Sequence, residues 1–358
     1  MDRKTKIIAT VGPSVFSEQK IHKLIESGVD VLRVNFSHGS YEDHKSVIEW
    51  GRSSEKNIAI MQDIQGPKIR TGKAKENTIL EKSKNLIVVN SMQESSSECI
   101  YINYEFLLRD INIGDRIFID DGQVVLKVTD KQEDSLQVLV LVGGELRDNQ
   151  GVAFPDSNLS VSAITEKDKK DLHFGTEQGV DFVAVSFVRN SEDIEMVKSL
   201  IPHDVKVIAK IELKSALENI DEIVEAADGV MVARGDLGVQ LPLEQIPFVQ
   251  KQILDTANSQ GKITITATEM LQSMKTSFRP TRAEVTDITN AILEGSDAVM
   301  LSAETSIGNH PNRVVEVMSM ICSETDSRND TTTLRVKEFS NIDTVTTSLA
   351  RAAVEIAN

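Results

Sequence analysis

At 358 residues the chain is long enough for two or three domains, and 39 Lys and Arg against 55 Asp and Glu leave a formal charge of −16. Such a charge argues against a nucleic-acid-wrapping or membrane-lying surface, so a polyanionic ligand would need a local basic pocket. Two cysteines, Cys99 and Cys322, exclude a disulfide framework, and no apolar run or leader marks a membrane or secreted protein, so a cytoplasmic protein is expected.

The chain opens on a buried-strand pattern, Ile7-Ile8-Ala9-Thr10-Val11, stopped by Gly12-Pro13. A helical pattern carried by Ile21, Leu24 and Ile25 ends at Gly28. Val31–Phe36, a polar helical stretch at Tyr41–Gly51, and Ile58–Ile64 continue this alternation, which is that of a parallel α/β protein. From about Gly72 to Asn158 the rhythm changes to short β-branched segments: Ile79-Leu80, Leu86–Val89, Arg116–Ile119, Val124–Val128 and Leu136–Val142. Turn signals such as Asp120-Asp121-Gly122 and Gly143-Gly144 separate them, so a small all-β insertion with little helix is expected.

After Ser162 the β/α rhythm returns. Thr165 caps a predicted helix running to Gln178, with Asp168 three residues on and Gly179 as its stop. Strands are predicted at Phe182–Phe187, Lys206–Ile211, Gly229–Ala233, Ile263–Thr268 and Ala298–Ser302. Three strands before the insertion and five after it make eight, as a (β/α)₈ TIM barrel requires; an open doubly wound sheet is the alternative. A last helix runs through Val314–Cys322, and a polar stretch follows. Val345, Leu349, Ala352, Ala353 and Ile356 then share one helical face, which either docks on the barrel or belongs to a domain that is absent.

In a strand, residues two apart point to the same side, and the C-terminal strand ends of a barrel gather at one mouth, where active sites form. Polar side chains fall at that spacing at several predicted strand ends: Arg33, Asn35 and Ser37; Lys210 and Glu212; Ser302 and Glu304. Arg234-Gly235-Asp236 closes another strand, Thr268 ends another, and Asp63 lies near the end of the third. The mouth therefore collects the carboxylates Asp63, Glu212 and Asp236, with Glu304 a candidate fourth, and the cations Arg33, Lys68, Arg70 and Lys210. Paired carboxylates suit Mg²⁺, Arg suits bidentate phosphate contacts, and a Lys beside metal carboxylates suits negative charge on a substrate oxygen. Together they point to phosphoryl transfer or enolate chemistry. Singly, each has a plainer reading: Lys-x-Glu is usually a solvated pair, Arg-Gly-Asp a turn, Ser-x-Glu a helix cap. Convergence at six or more of eight strand ends favours a site.

The sequence resembles the pyruvate kinases in Thr5–Ser14, Arg33–Gly39, Asp63–Gly72, Ala209–Glu212, Met231–Gly238, Arg279–Glu284 and Leu301–Thr305, motifs spread over nearly the whole chain. The resemblance implies a barrel with a lid inserted after the third strand. It also implies Mg²⁺-dependent phosphoryl transfer from phosphoenolpyruvate to ADP, giving pyruvate and ATP, the last step of glycolysis. Glu212 and Asp236 would then hold Mg²⁺ or Mn²⁺, and Lys210 would stabilise the enolate. Arg33 would contact the phosphoryl group, and the backbone N–H groups of Gly235 and Asp236, with Thr268, would receive the substrate carboxylate. A proton relay near Thr268, Ser302 and Glu304 is implied, as are nucleotide contacts from Asn35, His38 and Arg70.

Members of the family that need K⁺ carry Glu where this chain has Lys68, and hold the ion near Asn35, Ser37, Asp63 and the backbone of Ile64. An ammonium in that neighbourhood would replace the mobile cation, so the chain resembles a K⁺-independent, Lys-containing type. It departs from the family at Asn149 and Gln150, where the lid of many members has a Lys, and at Asp156, which replaces a Gly. Pyruvate kinases also continue into a C-terminal α/β domain of roughly a hundred residues. The implied organisation is a barrel at 1–71 and 159–328, a lid at 72–158, and a linker with the first helix of a truncated domain at 329–358. Homo-oligomer contacts carried by that domain would be lost. Two alternatives stand beside this: a catalytically weak ligand-binding core fragment, and a Mg²⁺-dependent enolate aldolase or lyase on the same barrel.

Overall fold

Eight parallel strands close into a barrel in the computed structural model, which describes residues 3–328 together with Val345, Ser348, Leu349, Ala352 and Ala353. The strands are β1 Lys6–Thr10, β2 Val31–Asn35, β3 Ala59–Asp63, β4 Phe182–Val185, β5 Lys206–Ile211, β6 Gly229–Ala233, β7 Ile263–Ala267 and β8 Ala298–Leu301. Each pairs with its sequence neighbour, and β1 pairs with β8 through Lys6 opposite Ala298, which closes the ring and excludes the open sheet. Several strands end earlier than the apolar pattern predicts. Val11, Phe36, Ile64, Phe187, Thr268 and Ser302 fall in the mouth loops.

The two-residue alternation of the strands decides which side chains reach the mouth. Ile8, Met61, Ala184, Ile208, Met231, Ile265 and Met300 fill the barrel interior. Their neighbours, among them Ile7, Ile60, Val183, Val207 and Val230, are fully buried under the surrounding helices. Two residues beyond the interior layer come Thr10, Asp63, Ser186, Lys210 and Ser302, and polar side chains thus form the next layer up. The helices start where their caps dictate. Thr165 and Asp168 form a reciprocal capping box at Glu166–Glu177, as do Ser40 with Asp43 and Thr281 with Glu284 at their own helices. Gly179, at φ +73°, ends the first of these as expected.

Between β3 and β4 lies a six-stranded sheet, in the order Val152–Ala153, Arg116–Ile119, Val124–Lys131, Leu136–Val142, Asn85–Asn90, Cys99–Ile102. A two-stranded ribbon, Ile79–Leu80 with Gly144–Glu145, accompanies it. Alternate residues of the long strands are buried, giving a separate apolar core around Leu86, Val88, Ile100, Ile117, Leu126 and Val138. Sequence patterning misses Cys99–Ile102, Gly144–Glu145 and Val152–Ala153, which are too short to show a period. We refer to this inserted unit as the lid.

Asp156, unusual in sequence, has a structural role in the lid. Its carboxylate accepts from the Arg116 guanidinium at 2.8 and 2.8 Å and from the Arg116 N–H at 3.0 Å. The Arg116 side-chain bonds hold the Asp156 carboxyl below the ordinary carboxylate range. Because the pair faces solvent, Asp156→Ala is expected to cost the lid only about 1 kcal/mol at pH 7. A depressed folded pKa contributes stability above the unfolded value, about 3.9, and loses it as pH falls through the folded one. The variant and the parent should therefore converge in acid. Amide exchange of Arg116–Ile119 against pH checks this, and a gap that persists below both pKa values would refute it.

Of the expected terminal helix, Val345, Ser348, Leu349, Ala352 and Ala353 are helical and exposed, whereas Ile356 and the expected linker lie outside the described residues. Among the described residues no helix is long and apolar enough to cross a membrane.

Candidate active site

Asp63, at the end of β3 and 2% exposed, joins the two cations that the strand ends deliver. Its Oδ2 accepts from Arg33 Nε at 2.7 Å and its Oδ1 from Lys210 Nζ at 3.3 Å. Arg33 also donates through Nη1 to Thr10 Oγ1 at 2.9 Å. Lys210 Nζ donates to Ser186 Oγ at 2.7 Å and pairs with Glu212 Oε1 at 2.8 Å. The remaining Glu212 oxygen, Oε2, accepts from the Phe187 N–H at 2.8 Å, and Ser186 Oγ donates to the Ile64 carbonyl at 2.8 Å. Four adjacent strand ends, β2 to β5, thus carry one continuous network of buried charges. Burying these ions is expensive, and it is tolerated because each has a partner of opposite sign.

The electrostatics follow from that arrangement. Burial alone would lower the Lys210 pKa, but Asp63 and Glu212 outweigh it and hold the ammonium above its ordinary range. Burial pushes the Glu212 carboxyl up, with the nearby charge of Asp236 adding to it, to about 7 despite Lys210 and the Phe187 N–H. A divalent cation beside Glu212 would offset the cost of its buried charge. Among the described residues no cluster of three or more metal-type side chains forms. An ion on Glu212 and Asp236 would therefore take most of its ligands from water and substrate oxygens, which fits Mg²⁺.

On the opposite side of the mouth Thr268 and Glu269 both adopt left-handed backbone, at φ +67° and +55°, a conformation uncommon for non-glycine residues. Thr268 Oγ1 accepts from the Gly235 N–H at 2.8 Å, and Arg234 Nη2 donates to the Thr268 carbonyl at 2.7 Å. Thr268 and Gly235, expected to act on one substrate group, are thus bonded to each other, and exposed Asp236 follows directly. Glu304 is fully buried; its oxygens accept from the N–H groups of Leu271 at 3.1 Å and Ser302 at 2.8 Å. It ties the β7 and β8 loops together, and no bond joins it to Thr268.

The residues expected around a monovalent cation are brought together by register. Asn35 lies opposite Asp63, its Oδ1 accepts from the Ser37 N–H at 3.0 Å, and the Ile64 N–H donates to Ala184 on β4. Lys68 is half-buried but bonds to none of Asn35, Ser37 or Asp63; burial and Arg70 lower its pKa, while Asp236 and Asp121 oppose that shift. His38 is likewise held below its ordinary pKa, first by burial and then by Lys68, Arg70 and Arg33, which puts it on a cationic wall. Arg70 reaches the lid instead, donating from Nη1 to the Asn149 carbonyl at 2.7 Å. A cavity of about 610 Å³ opens between mouth and lid, lined by Lys68, Asp121, Phe187, Glu212 and Asp236 among others.

Three residues of this site escape the sequence reading: Thr10, Ser186 and Asp121. Ser186 could have been found from the alternation that selects Lys210, since it stands two residues past interior Ala184. Asp121 sits in a lid turn, and only the fold brings it to the barrel.

Comparison with known proteins decides the family. The family described as "Pyruvate kinase, barrel domain" matches residues 2–315. The chain is 44% identical over 338 residues to the pyruvate kinase of Corynebacterium glutamicum and 41% identical over 371 residues to that of Geobacillus stearothermophilus. Pyruvate kinase 2 of a Synechocystis species is 47% identical over 333 residues. The chain belongs to the pyruvate kinase family. These alignments cover 92%, 100% and 90% of the chain but 71%, 63% and 56% of the respective relatives. Where many pyruvate kinases carry a lid Lys, Gln150 is buried; its N–H donates to Thr71 Oγ1 at 3.0 Å and its Oε1 accepts from the Arg147 N–H at 2.8 Å. Asn149, through its carbonyl, and Gln150 thus knit the lid to its tether, and neither side chain carries a charge.

Proposed function

We propose that the chain is a cytoplasmic pyruvate kinase that transfers the phosphoryl group of phosphoenolpyruvate to ADP, giving ATP and pyruvate. The observation that carries this is the network in which Asp63 holds Arg33 and Lys210 on its two oxygens while Lys210 pairs with Glu212. Arg33 binds the phosphoryl group in transit, with guanidinium geometry suited to phosphate oxygens. As the bridging P–O bond breaks, its electron pair remains on the enolate oxygen, where the Lys210 ammonium offsets the charge without reorganising. Bound Mg²⁺ or Mn²⁺, held by Glu212 and Asp236, supplies further positive charge to the oxygens of the reacting groups. Asp236 N–H, Gly235 N–H and Thr268 orient the substrate carboxylate. The enolate carbon then takes a proton that comes from water through the region of Thr268 and Ser302, while Glu304, with both oxygens on backbone N–H groups, holds the β7 and β8 loops that shape that region. Asn35, His38 and Arg70 face the nucleotide.

Lys68 replaces K⁺ in this scheme. Asp236 and Asp121 favour its charge against burial and the neighbouring Arg70, and the ammonium is fixed covalently in the mouth. Lactate-dehydrogenase-coupled turnover with phosphoenolpyruvate, ADP and Mg²⁺ tests both statements. Full turnover is expected in a buffer free of K⁺, Na⁺ and NH₄⁺. Turnover that appears only on adding K⁺ would refute the role of Lys68 alone, and none under either condition would refute the reaction.

A further inference from the structure

We propose that Ser186–Arg189, the loop leaving β4, is a positioning element that couples both tethers of the lid to the Lys210–Glu212 pair. This rests on the reading of Lys210 and Glu212 given above. Three of its four residues make the required contacts, and the fourth, Val188, anchors the loop. Ser186 Oγ accepts from Lys210 Nζ at 2.7 Å and donates to the carbonyl of Ile64, where the chain leaves β3 for the lid. The Phe187 N–H, on a residue in left-handed backbone at φ +57°, donates to Glu212 Oε2 at 2.8 Å. Phe187 also packs under the inbound tether. A Cβ on Gly66 would lie 2.9 Å from its ring and 3.4 Å from Ser186.

Val188 is fully buried and anchors the loop in the barrel core. Arg189 then reaches the outbound tether: its Nη1 donates to the carbonyls of Leu159 and Val161 at 2.9 and 2.6 Å. The guanidinium is fixed by Asp193, which accepts from Arg189 N, Nε and Nη2 at 3.0, 3.3 and 3.2 Å. On this proposal a shift of either tether reaches, through this loop with its left-handed Phe187, the two side chains that hold substrate charge and metal. Arg189 is a positioning residue on this view, since it touches neither.

The coupling is read by amide hydrogen exchange of residues 157–163 with Mg²⁺ alone as the probe. In the parent chain Mg²⁺ should slow exchange there at least threefold. Arg189 and Asp193 are replaced together, as Arg189→Met with Asp193→Asn, because removing Arg189 alone would strand a nearly buried carboxylate. The double variant should lose most of the Mg²⁺-dependent slowing, and kcat should fall about tenfold. Arg189→Lys, a point charge able to reach one carbonyl, should recover part of both. A lower general stability would raise exchange with and without Mg²⁺ alike and leave the ratio unchanged. Equal Mg²⁺-dependent slowing in parent and double variant, or none in the parent, would overturn the proposal. A parent chain that forms no ATP would instead overturn the proposed reaction, because the exchange comparison does not depend on turnover.

Discussion

Replacing Lys210 with Met is expected to lower kcat about a thousandfold while leaving phosphoenolpyruvate binding measurable. The charge that develops on the enolate oxygen exists only as the P–O bond breaks, so the ammonium acts mainly on the transition state. Removing one fixed donor of this kind typically costs a factor of about 10² to 10³, and a full charge in a buried site belongs at the upper end. Binding survives because Arg33 remains fixed by Asp63 and Thr10, and the Gly235–Thr268 side of the mouth is untouched. ATP formation beside calorimetric titration with phosphoenolpyruvate separates the two effects. Turnover within a factor of a few of the parent would remove Lys210 from the mechanism.

Asp63→Asn is expected to cost about 3 kcal/mol of barrel stability and most of the activity. The substitution keeps the volume but removes the anion that lies between two buried cations at 2.7 and 3.3 Å. Arg33 would then have no carboxylate partner, whereas Lys210 would keep Glu212. Breaking a buried pair from one side costs about 3–5 kcal/mol, and the surviving Lys210–Glu212 contact places this case at the lower bound. Glu166→Gln provides the control. Its partner is Lys169 at 2.6 Å, but the pair is exposed, so the melting temperature should stay close to that of the parent. Thermal melting of the two variants beside the parent compares them. Equal stability of Asp63→Asn and the parent would mean that Asp63 is not the counter-charge of the site.

Much of the barrel was legible because its signals are local. The two-residue alternation that buries Ile8, Met61 and Ile208 also carries Thr10, Asp63 and Lys210 to the mouth, and capping residues such as Thr165 with Asp168 mark helix starts directly. Ser186 was hidden because Phe182–Phe187 reads as one apolar run, so a serine within it looks structural. Short lid strands such as Val152–Ala153 have no period to detect. Their pairing partners lie far along the chain: Val152 pairs with Ile119.

Hydrogen-bond pairing within the site was the least legible level. That Thr268 bonds to the Gly235 N–H, and that Glu304 spends both oxygens on backbone N–H groups, depends on torsions such as the positive φ at Thr268 and Glu269. No residue pattern encodes those angles. Lys68 shows the same limit from another side: its identity pointed to an anionic neighbourhood, while the fold decides that Asp236 and Asp121 provide the acids.

Phosphorus NMR of the chain with phosphoenolpyruvate, ADP and Mg²⁺ tests the central claim most directly, because it follows the transferred group itself. The phosphoenolpyruvate resonance should decay as the γ-phosphate of ATP grows one for one, and Lys210→Met should slow both changes about a thousandfold. Release of inorganic phosphate in place of ATP, or equal ATP formation by Lys210→Met, would contradict the assignment of this barrel mouth to phosphoryl transfer.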